Sequence, residues 1–194
     1  MLSLIVLAAG KSTRMRGRNK LLAKIGGTPM IRRVVQSALS SMLDEVIVVV
    51  GWEANKIKSA LSNLPCRCVI NKDFRTGQSS SVKAGLRAIK DSTEAILILP
   101  GDVALIDAHS IDLVVKAYKN RKSPIVLAAH SGRSGHPILL SKELFNEIER
   151  IDETTFGLKS VVNRHESEVQ LVETGSENVL RDADTPEDLK LVKQ

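Results

Sequence analysis

The stretch that decides the fold is Leu4–Met15, which runs Leu-Ile-Val-Leu-Ala-Ala-Gly-Lys-Ser-Thr-Arg-Met. Its apolar first half predicts a short buried strand, and its second half is a loop of small and cationic residues. Small residues let backbone N–H groups approach an anion closely, and cations donate charge-assisted hydrogen bonds to its oxygens. The stretch therefore predicts a strand that ends at a site for a phosphate-bearing ligand. The alternative is a solvated basic loop.

The cations of this loop are closely spaced. They are Lys11, Arg14, Arg16, Arg18 and Lys20. The segment Gly10-Lys11-Ser12 also has the ending of a Walker A loop, but that loop needs a further glycine where this chain has Ile5. A P-loop kinase is accordingly a remote alternative.

The composition is that of an ordinary globular protein. The chain has 194 residues, 43% of them hydrophobic and 26% charged, and no apolar run reaches the ~20 residues of a membrane span. We expect one domain over residues 1–194. Because the first strand begins without a basic leader segment, we expect no signal peptide and a cytoplasmic protein.

The charge balance favours a small anionic ligand. The formal net charge is +6, but only 3% of residues are aromatic, which leaves few platforms on which nucleic-acid bases could stack. We therefore expect neither a nucleic acid nor a membrane as partner. Cys66 and Cys68 lie two residues apart on a predicted strand without further ligands at metal-binding spacing, and we interpret them as buried reduced thiols.

Apolar periodicity predicts alternating strands and helices, and hence a three-layer α/β sandwich around a mostly parallel sheet. Thr28 is the expected N-cap of the first helix, with Pro29 at its first position. The segment 133–137, with a tight Gly-His-Pro turn, precedes the apolar residues 138–140. The predicted strands span residues 4–9, 45–50, 66–70, 95–99, 125–129 and 169–172, and the main predicted helices span 30–42, 53–61, 107–120 and 156–164.

Polar residues follow several of these strands. Asp102 comes directly after the fourth strand, at the edge where ligands gather in open α/β sheets, and a carboxylate beside a polyphosphate loop is a natural anchor for Mg²⁺. Asp182 and Asp184 alternate along an extended segment before a strong helix start at Thr185, and they could complete the Mg²⁺ shell. A capping role for Asp102 is the alternative.

A second polar loop runs from Asn71 to Ser81 and leads into a helix. Its serines can cap that helix, and the helix N-terminus can hold an anion or a polar base edge. Capping explains one serine but not three in a row after Gly77 and Gln78. His136 is the histidine of greatest interest, because the Gly-His-Pro turn would fix its direction.

Together these motifs resemble the MobA-like nucleotidyltransferases, and most closely their branch of molybdenum cofactor cytidylyltransferases. The resemblance covers essentially the whole chain. It rests on five segments in the family's order: residues 7–15 with Lys20, residues 77–81, Pro100-Gly101-Asp102, Gly135-His136-Pro137, and residues 182–188. Ala9 is the pattern of the cytidylyl branch, whereas the guanylyl branch has glycine there.

The resemblance implies a Rossmann-like sheet with mixed strand directions at one end. It also implies Mg²⁺-dependent transfer of CMP from CTP to phosphorylated molybdopterin, with release of pyrophosphate, and a molybdoenzyme as a further partner. The residues that it assigns are catalytic Arg14, Lys20 and Asp102; nucleotide-binding Leu7, Ala8, Ala9, Gly10, Lys11, Ser12, Arg14, Lys20, Asn71, Gly77, Ser79, Ser80 and Gly101; metal-binding Asp102 and Asp184; and, on the acceptor side, Gln78, Ser81, His136, Pro137 and Asp182.

Two alternatives stay open at this point. One keeps the chemistry but uses GTP, or a sugar phosphate or another phosphorylated acceptor. The other is a non-catalytic carrier of the molybdenum cofactor. The run Gly157-Leu158-Lys159 stands where the family often has Gly-Ala-Arg, in a segment that helps to shape the acceptor side.

Overall fold

The structure is a computed structural model and describes residues 1–11 and 19–182. Seven strands of this part form one sheet, and two short strands pair separately. The strands are β1 Leu2–Ala8, β2 Lys24–Ile25, β3 Thr28–Pro29, β4 Glu45–Val50, β5 Arg67–Ile70, β6 Ala95–Pro100, β7 Ile125–His130, β8 Arg133–Ser141 and β9 Val169–Glu173.

The order of strands in the large sheet is β5-β4-β1-β6-β8-β7-β9. Strand β8 runs antiparallel to both of its neighbours, and the other pairs of this sheet are parallel. Residues of β1 lie opposite β4 on one side and β6 on the other, for example Leu4 opposite Val46 and Leu97. The predicted fold class is confirmed, and the mixed strand directions fall in the half of the sheet that contains β8.

Helices cover both faces of this sheet. One face carries α1, α2 and α4 over one apolar core, and the other carries α3, α5 and α6 over a second core. The helices are α1 Met30–Leu39, α2 Ala54–Ala60, α3 Gln78–Leu86, α4 Ala108–Arg121, α5 Phe145–Ile148 and α6 Leu158–Arg164.

Strand β1 is apolar along its length because it is covered on both faces. Leu4 and Val6 belong to the core under α1, whereas Ile5 belongs to the core under α3. All three side chains are fully buried, which contributes about 1.5–3 kcal/mol for each. Gly85 lets α3 lie close to β1, since a Cβ there would be only 2.4 Å from Cγ2 of Ile5.

The predicted start of the first helix was wrong by one position. Thr28 and Pro29 form strand β3, which pairs with β2, so Pro29 becomes the residue before the helix and Thr28 does not cap it. Pairing of Thr28 and Pro29 with β2 keeps both residues extended, although proline is often found at the first position of a helix. Helix α1 itself begins at Met30 as an apolar face packed onto the sheet.

The expected Gly-His-Pro turn was also wrong. Gly135, His136 and Pro137 lie within β8, whose hairpin connection to β7 is at Ser131 and Gly132. The reason is tertiary: Ser134 pairs with Ala129 of β7 on one side of these residues and Ile138 pairs with both β6 and β7 on the other, so a segment whose sequence is only half apolar continues the strand through a register shift.

Cys66 and Cys68 are free thiols, as predicted, but they are half-buried and not fully enclosed. Strand β5 is an edge strand of the sheet, which leaves this side of it partly open to solvent. No helix in the described ranges is long and apolar enough to cross a membrane. The helix start expected at Thr185 lies outside the described residues.

Candidate active site

The carboxyl ends of β1, β4, β5 and β6 meet at one edge of the sheet. There the loops that follow the strands are tied to their neighbours by backbone hydrogen bonds. The N–H of Gly101 donates to the carbonyl of Leu7 at 2.9 Å, and the N–H of Trp52 donates to the carbonyl of Ala9 at 3.1 Å. The motifs after β1 and β6, far apart in sequence, therefore lie side by side.

Lys20 and Asp102 form an ion pair at this edge, and each side chain is only 15% exposed. Asp102 stands two residues after β6. Lys20 opens a short 3₁₀ helix whose preceding residue, Asn19, is buried and accepts a hydrogen bond from the N–H of Leu21. The cap fixes the path of the chain beside Lys20, so the structure brings together two of the three residues predicted to be catalytic.

The first predicted phosphate loop is described only in part. Ala8 and Ala9 are buried at the end of β1, whereas Gly10 and Lys11 are exposed beyond it. Ser12 and Arg14 lie outside the described residues, as does Asp184. Asp182 is exposed near the end of the described chain. The structure therefore places the start of the loop but not its serine and arginine side chains.

Asn71 has its polar atoms occupied within the protein. Its Nδ2 donates to Oγ of Ser80 at 2.9 Å and of Ser81 at 3.0 Å, and its Oδ1 accepts from the N–H of Asp73 at 2.9 Å. The side chain is buried, so it ties the loop after β5 to the first turn of α3. Asn71, Ser80 and Ser81 thus share a structural network, and Ser81 is separate from the cavity described next.

A cavity of about 420 Å³ lies between the start of α3, the first half of β8 and the loop before α6. Two residues predicted for the acceptor side, Gln78 and His136, line it, and so does Ser79 in the first turn of α3. Pro137 is buried in β8 next to His136. Apolar side chains form part of the wall: Val82, Ile98, Leu127, Ile138, Leu158 and Val162.

His136 joins this cavity to the sheet edge. Burial lowers its pKa below the ordinary value of 6.5, and the nearby charge of Asp102 opposes this shift. Its Nδ1 is buried without a hydrogen-bond partner within the described chain. A neutral imidazole that can accept or donate one further hydrogen bond therefore lines the cavity within reach of the charge of Asp102.

Sequence reasoning missed Glu153 and Phe156, which also line the cavity. The carboxylate of Glu153 accepts a hydrogen bond of 2.6 Å from the N–H of Ser79 in the first turn of α3. Phe156 was predicted to begin a helix, but Phe156 and Gly157 have φ of 63° and 55°, and α6 begins at Leu158. The helix prediction was therefore two residues too long at this end.

Candidate ligands for a divalent metal are few in the described part of the chain. Over residues 1–11 and 19–182, no group of three or more His, Cys, Asp or Glu side chains is placed to hold a metal ion. Asp102 remains as a hard oxygen donor at the sheet edge. One carboxylate is consistent with Mg²⁺, which binds through one or two carboxylates together with waters and substrate phosphates.

The fold, with the Lys20–Asp102 ion pair at the carboxyl edge of the sheet and a cavity lined by His136, is that of an α/β nucleotidyltransferase. The chain belongs to the MobA-like NTP transferase domain family, whose model matches residues 4–169.

Comparison with individual proteins gives three results. The chain is 30% identical to the molybdenum cofactor cytidylyltransferase of Escherichia coli K12, over 98% of this chain and 94% of that protein. It is 33% identical to the bifunctional protein GlmU of a Picosynechococcus strain over 66% of this chain, but it spans only 29% of that protein. A solved nucleotidyl transferase from Methanothermobacter superposes with a TM-score of 0.86 at 23% identity, over 100% and 96% of the two chains.

Proposed function

We propose that this protein transfers CMP from CTP to the phosphate of molybdopterin and releases pyrophosphate. The observation that carries the proposal is the full-length similarity to a molybdenum cofactor cytidylyltransferase, with Lys20 and Asp102 paired at the carboxyl edge of the sheet. The similarity to GlmU spans a smaller part of both chains. Ala9 supports CTP over GTP, because it matches the cytidylyl branch.

The nucleotide lies, in this proposal, across the carboxyl ends of β1 and β6. Backbone N–H groups around Gly10 bind the triphosphate, since a residue without a side chain allows close approach. Arg14 and Lys20 stabilise the negative charge that builds on the α-phosphate and on the departing pyrophosphate. Losing one such contact is expected to cost on the order of 3 kcal/mol in the transition state.

The reaction needs no protein nucleophile. An oxygen of the acceptor phosphate attacks the α-phosphorus in line, the bond between the α-phosphorus and its bridging oxygen to the β-phosphate breaks, and pyrophosphate leaves with the electron pair. The protein therefore has to position two anions that repel each other. Lys20 at the edge supplies positive charge for this task, and the cavity beside His136 holds the acceptor.

Mg²⁺ is the metal that we propose for this site, with Asp102 and Asp184 as its protein ligands. When bound, the ion neutralises phosphate charge and lines up the reacting oxygens. Asp102 is paired with Lys20, which holds the carboxylate in place at the edge of the sheet. Asp184 enters this proposal from the sequence alone.

The test is pyrophosphate release from CTP, GTP, UTP and ATP, each with and without Mg²⁺ and with and without molybdopterin. We expect release that requires CTP, Mg²⁺ and molybdopterin together. Release with GTP in place of CTP would favour the guanylyl alternative. Binding of molybdopterin without any release would favour a cofactor carrier and contradict the proposal.

A further inference from the structure

The wall of the cavity at the start of α3 is made by a carboxylate. Oε1 of Glu153 accepts the 2.6 Å hydrogen bond from the N–H of Ser79, and this is the hydrogen bond that the carboxylate makes within the described chain. Gly77 makes room for it: a Cβ at residue 77 would lie 2.2 Å from Cγ of Glu153. The loop before α6 is thereby held against α3.

The contact between Glu153 and Ser79 determines which kind of ligand group can bind at this end of the cavity. The N-terminus of a helix attracts anions, but the carboxylate of Glu153 already meets that positive end of α3. A second anion here would be repelled, whereas a group with N–H donors could bind the remaining acceptor positions of the carboxylate. Ser79 adds a hydroxyl that is buried, lines the cavity and has no partner within residues 1–11 and 19–182.

Phe156 adds an aromatic face at the same place. Its side chain is 79% exposed, although it lines the cavity, and its φ of 63° is a backbone conformation that costs a bulky residue free energy. Strain of this kind together with an exposed ring indicates a binding role, and an aromatic face pairs well with a flat ring. Val82, Leu127 and Ile138 provide the apolar contacts around it.

We propose that Glu153 and Phe156 recognise the ring of the acceptor: the carboxylate accepts two hydrogen bonds from a 2-amino-4-oxopyrimidine edge, and Phe156 stacks on the ring. Such an edge presents two adjacent N–H donors, which match the two oxygens of a carboxylate as a guanidinium does. The inference rests on the proposed function, because it treats this cavity as the acceptor side.

The placement of charge then orients the acceptor. Its donor-bearing ring lies at the Glu153 end of the cavity, and its phosphate lies towards His136, beyond which stand Asp102 and Lys20. The arrangement keeps the two negative groups, phosphate and Glu153, at different ends of the same cavity.

Equilibrium dialysis with two bare rings tests the inference without requiring turnover. The probes are pterin, which carries the 2-amino group, and lumazine, which has an oxygen in its place. The wild-type protein is expected to bind pterin at least about tenfold more tightly than lumazine, because a carboxylate repels the added acceptor atom. Equal binding of the two probes would overturn the inference.

Matched variants test the roles of Glu153 and Phe156 separately. Glu153→Gln keeps an oxygen for the N–H of Ser79 and should abolish the preference for pterin, whereas Glu166→Gln, on an exposed carboxylate outside the cavity, should keep it. Phe156→Leu should lower the affinity for pterin and for lumazine about fivefold without changing the ratio of the two affinities. Phe156→Tyr should bind both probes as the wild type does, because it keeps the aromatic ring. A preference for pterin that survives in Glu153→Gln would refute the role of Glu153.

The same design distinguishes this inference from the proposed function. Selective binding of pterin that depends on Glu153, in a protein that transfers no CMP, would leave the inference standing and refute the function. Guanine has the same donor edge as pterin, so GTP and CTP are added as competitors. Displacement of pterin by GTP but not by CTP would assign the edge to a nucleotide base and contradict an acceptor site.

Discussion

Lys20 and Asp102 are 82 positions apart in sequence and form an ion pair at the carboxyl edge of the sheet, largely shielded from solvent. Shielding strengthens the attraction between the two charges and holds both in fixed positions. The pair thus places a cation and a carboxylate side by side before any substrate is present. In the proposed function, a nucleotide with its metal would use both charges at this point.

Asp102→Ala is expected to lower the rate of pyrophosphate release by about 100-fold or more, because it removes a preorganised charge at the reacting phosphates. The fold should persist, since β6 is held by β1 and β8 and does not depend on this side chain. Steady-state kinetics and the melting temperature check both parts. The matched control is Asp91→Asn, on an exposed surface. Full activity of Asp102→Ala would remove the metal assignment.

Gly77→Ala is expected to destabilise the protein by about 1–3 kcal/mol and to weaken the binding of pterin. At φ 120° the backbone of residue 77 is strained for alanine, and the new Cβ would displace Glu153 from Ser79. Gly132→Ala provides the control, because Gly132 also has a positive φ of 74° but has no heavy atom within 4 Å of the point where a Cβ would lie. Equal binding of pterin by both variants would contradict the predicted displacement of Glu153.

His165 should make stability depend on pH. Hydrogen bonds to Glu168 at 2.7 Å and to Glu147 at 2.9 Å raise its pKa above 6.5, and Arg164 also contacts Glu147. Because the pKa of His165 is raised in the folded state, its contribution to the free energy of unfolding is fully present below pH 6.5. The contribution is lost as the pH rises through the pKa of the folded state. The melting temperatures of wild type and His165→Gln should therefore differ most at low pH and converge at high pH, with His109→Gln as the control.

Cys68 is expected to react with iodoacetamide faster than Cys66 at neutral pH. The hydrogen bond from the Cys66 thiol, opposed by burial and aided by Lys58, lowers the pKa of Cys68 to about 7, while Cys66 stays protonated because its pKa is raised. The thiolate is the reactive form. Mass spectrometry of the alkylated peptide across pH measures the midpoint. In Cys66→Ala this midpoint should rise; an unchanged midpoint would contradict the hydrogen bond.

The sequence predicted the parallel half of the sheet well because its strands are continuous apolar runs. The β-branched run at 45–50 predicts a parallel-sheet strand, and β4 has the predicted bounds. Strand β8 was harder, since Ser134, Gly135 and His136 carry no strand pattern. Their conformation comes from the pairing of Arg133 and Ser134 with β7 and of Ile138 with both β6 and β7, which local sequence does not contain.

The candidate site likewise contains residues that the sequence could predict and residues that it could not. Lys20 and Asp102 stand in recognisable motifs at strand ends, so their proximity could be predicted from the rule that such ends meet. Glu153 lies in a polar stretch typical of a surface loop, and it meets Ser79 across 74 positions of sequence. Only the contact of the loop before α6 with the first turn of α3 brings the two together.

Strand β8 has a consequence for how such a transferase could change its acceptor. Its pairing with β6 runs from Ala95–Ser141 to Ile98–Ile138, so the residues before Ile138 continue towards the edge where the nucleotide would lie. The hairpin formed by the end of β7 and the start of β8 therefore reaches the cavity without contributing to the parallel strands β5, β4 and β1. Grafting this hairpin from a relative would exchange acceptor contacts and leave the nucleotide half intact.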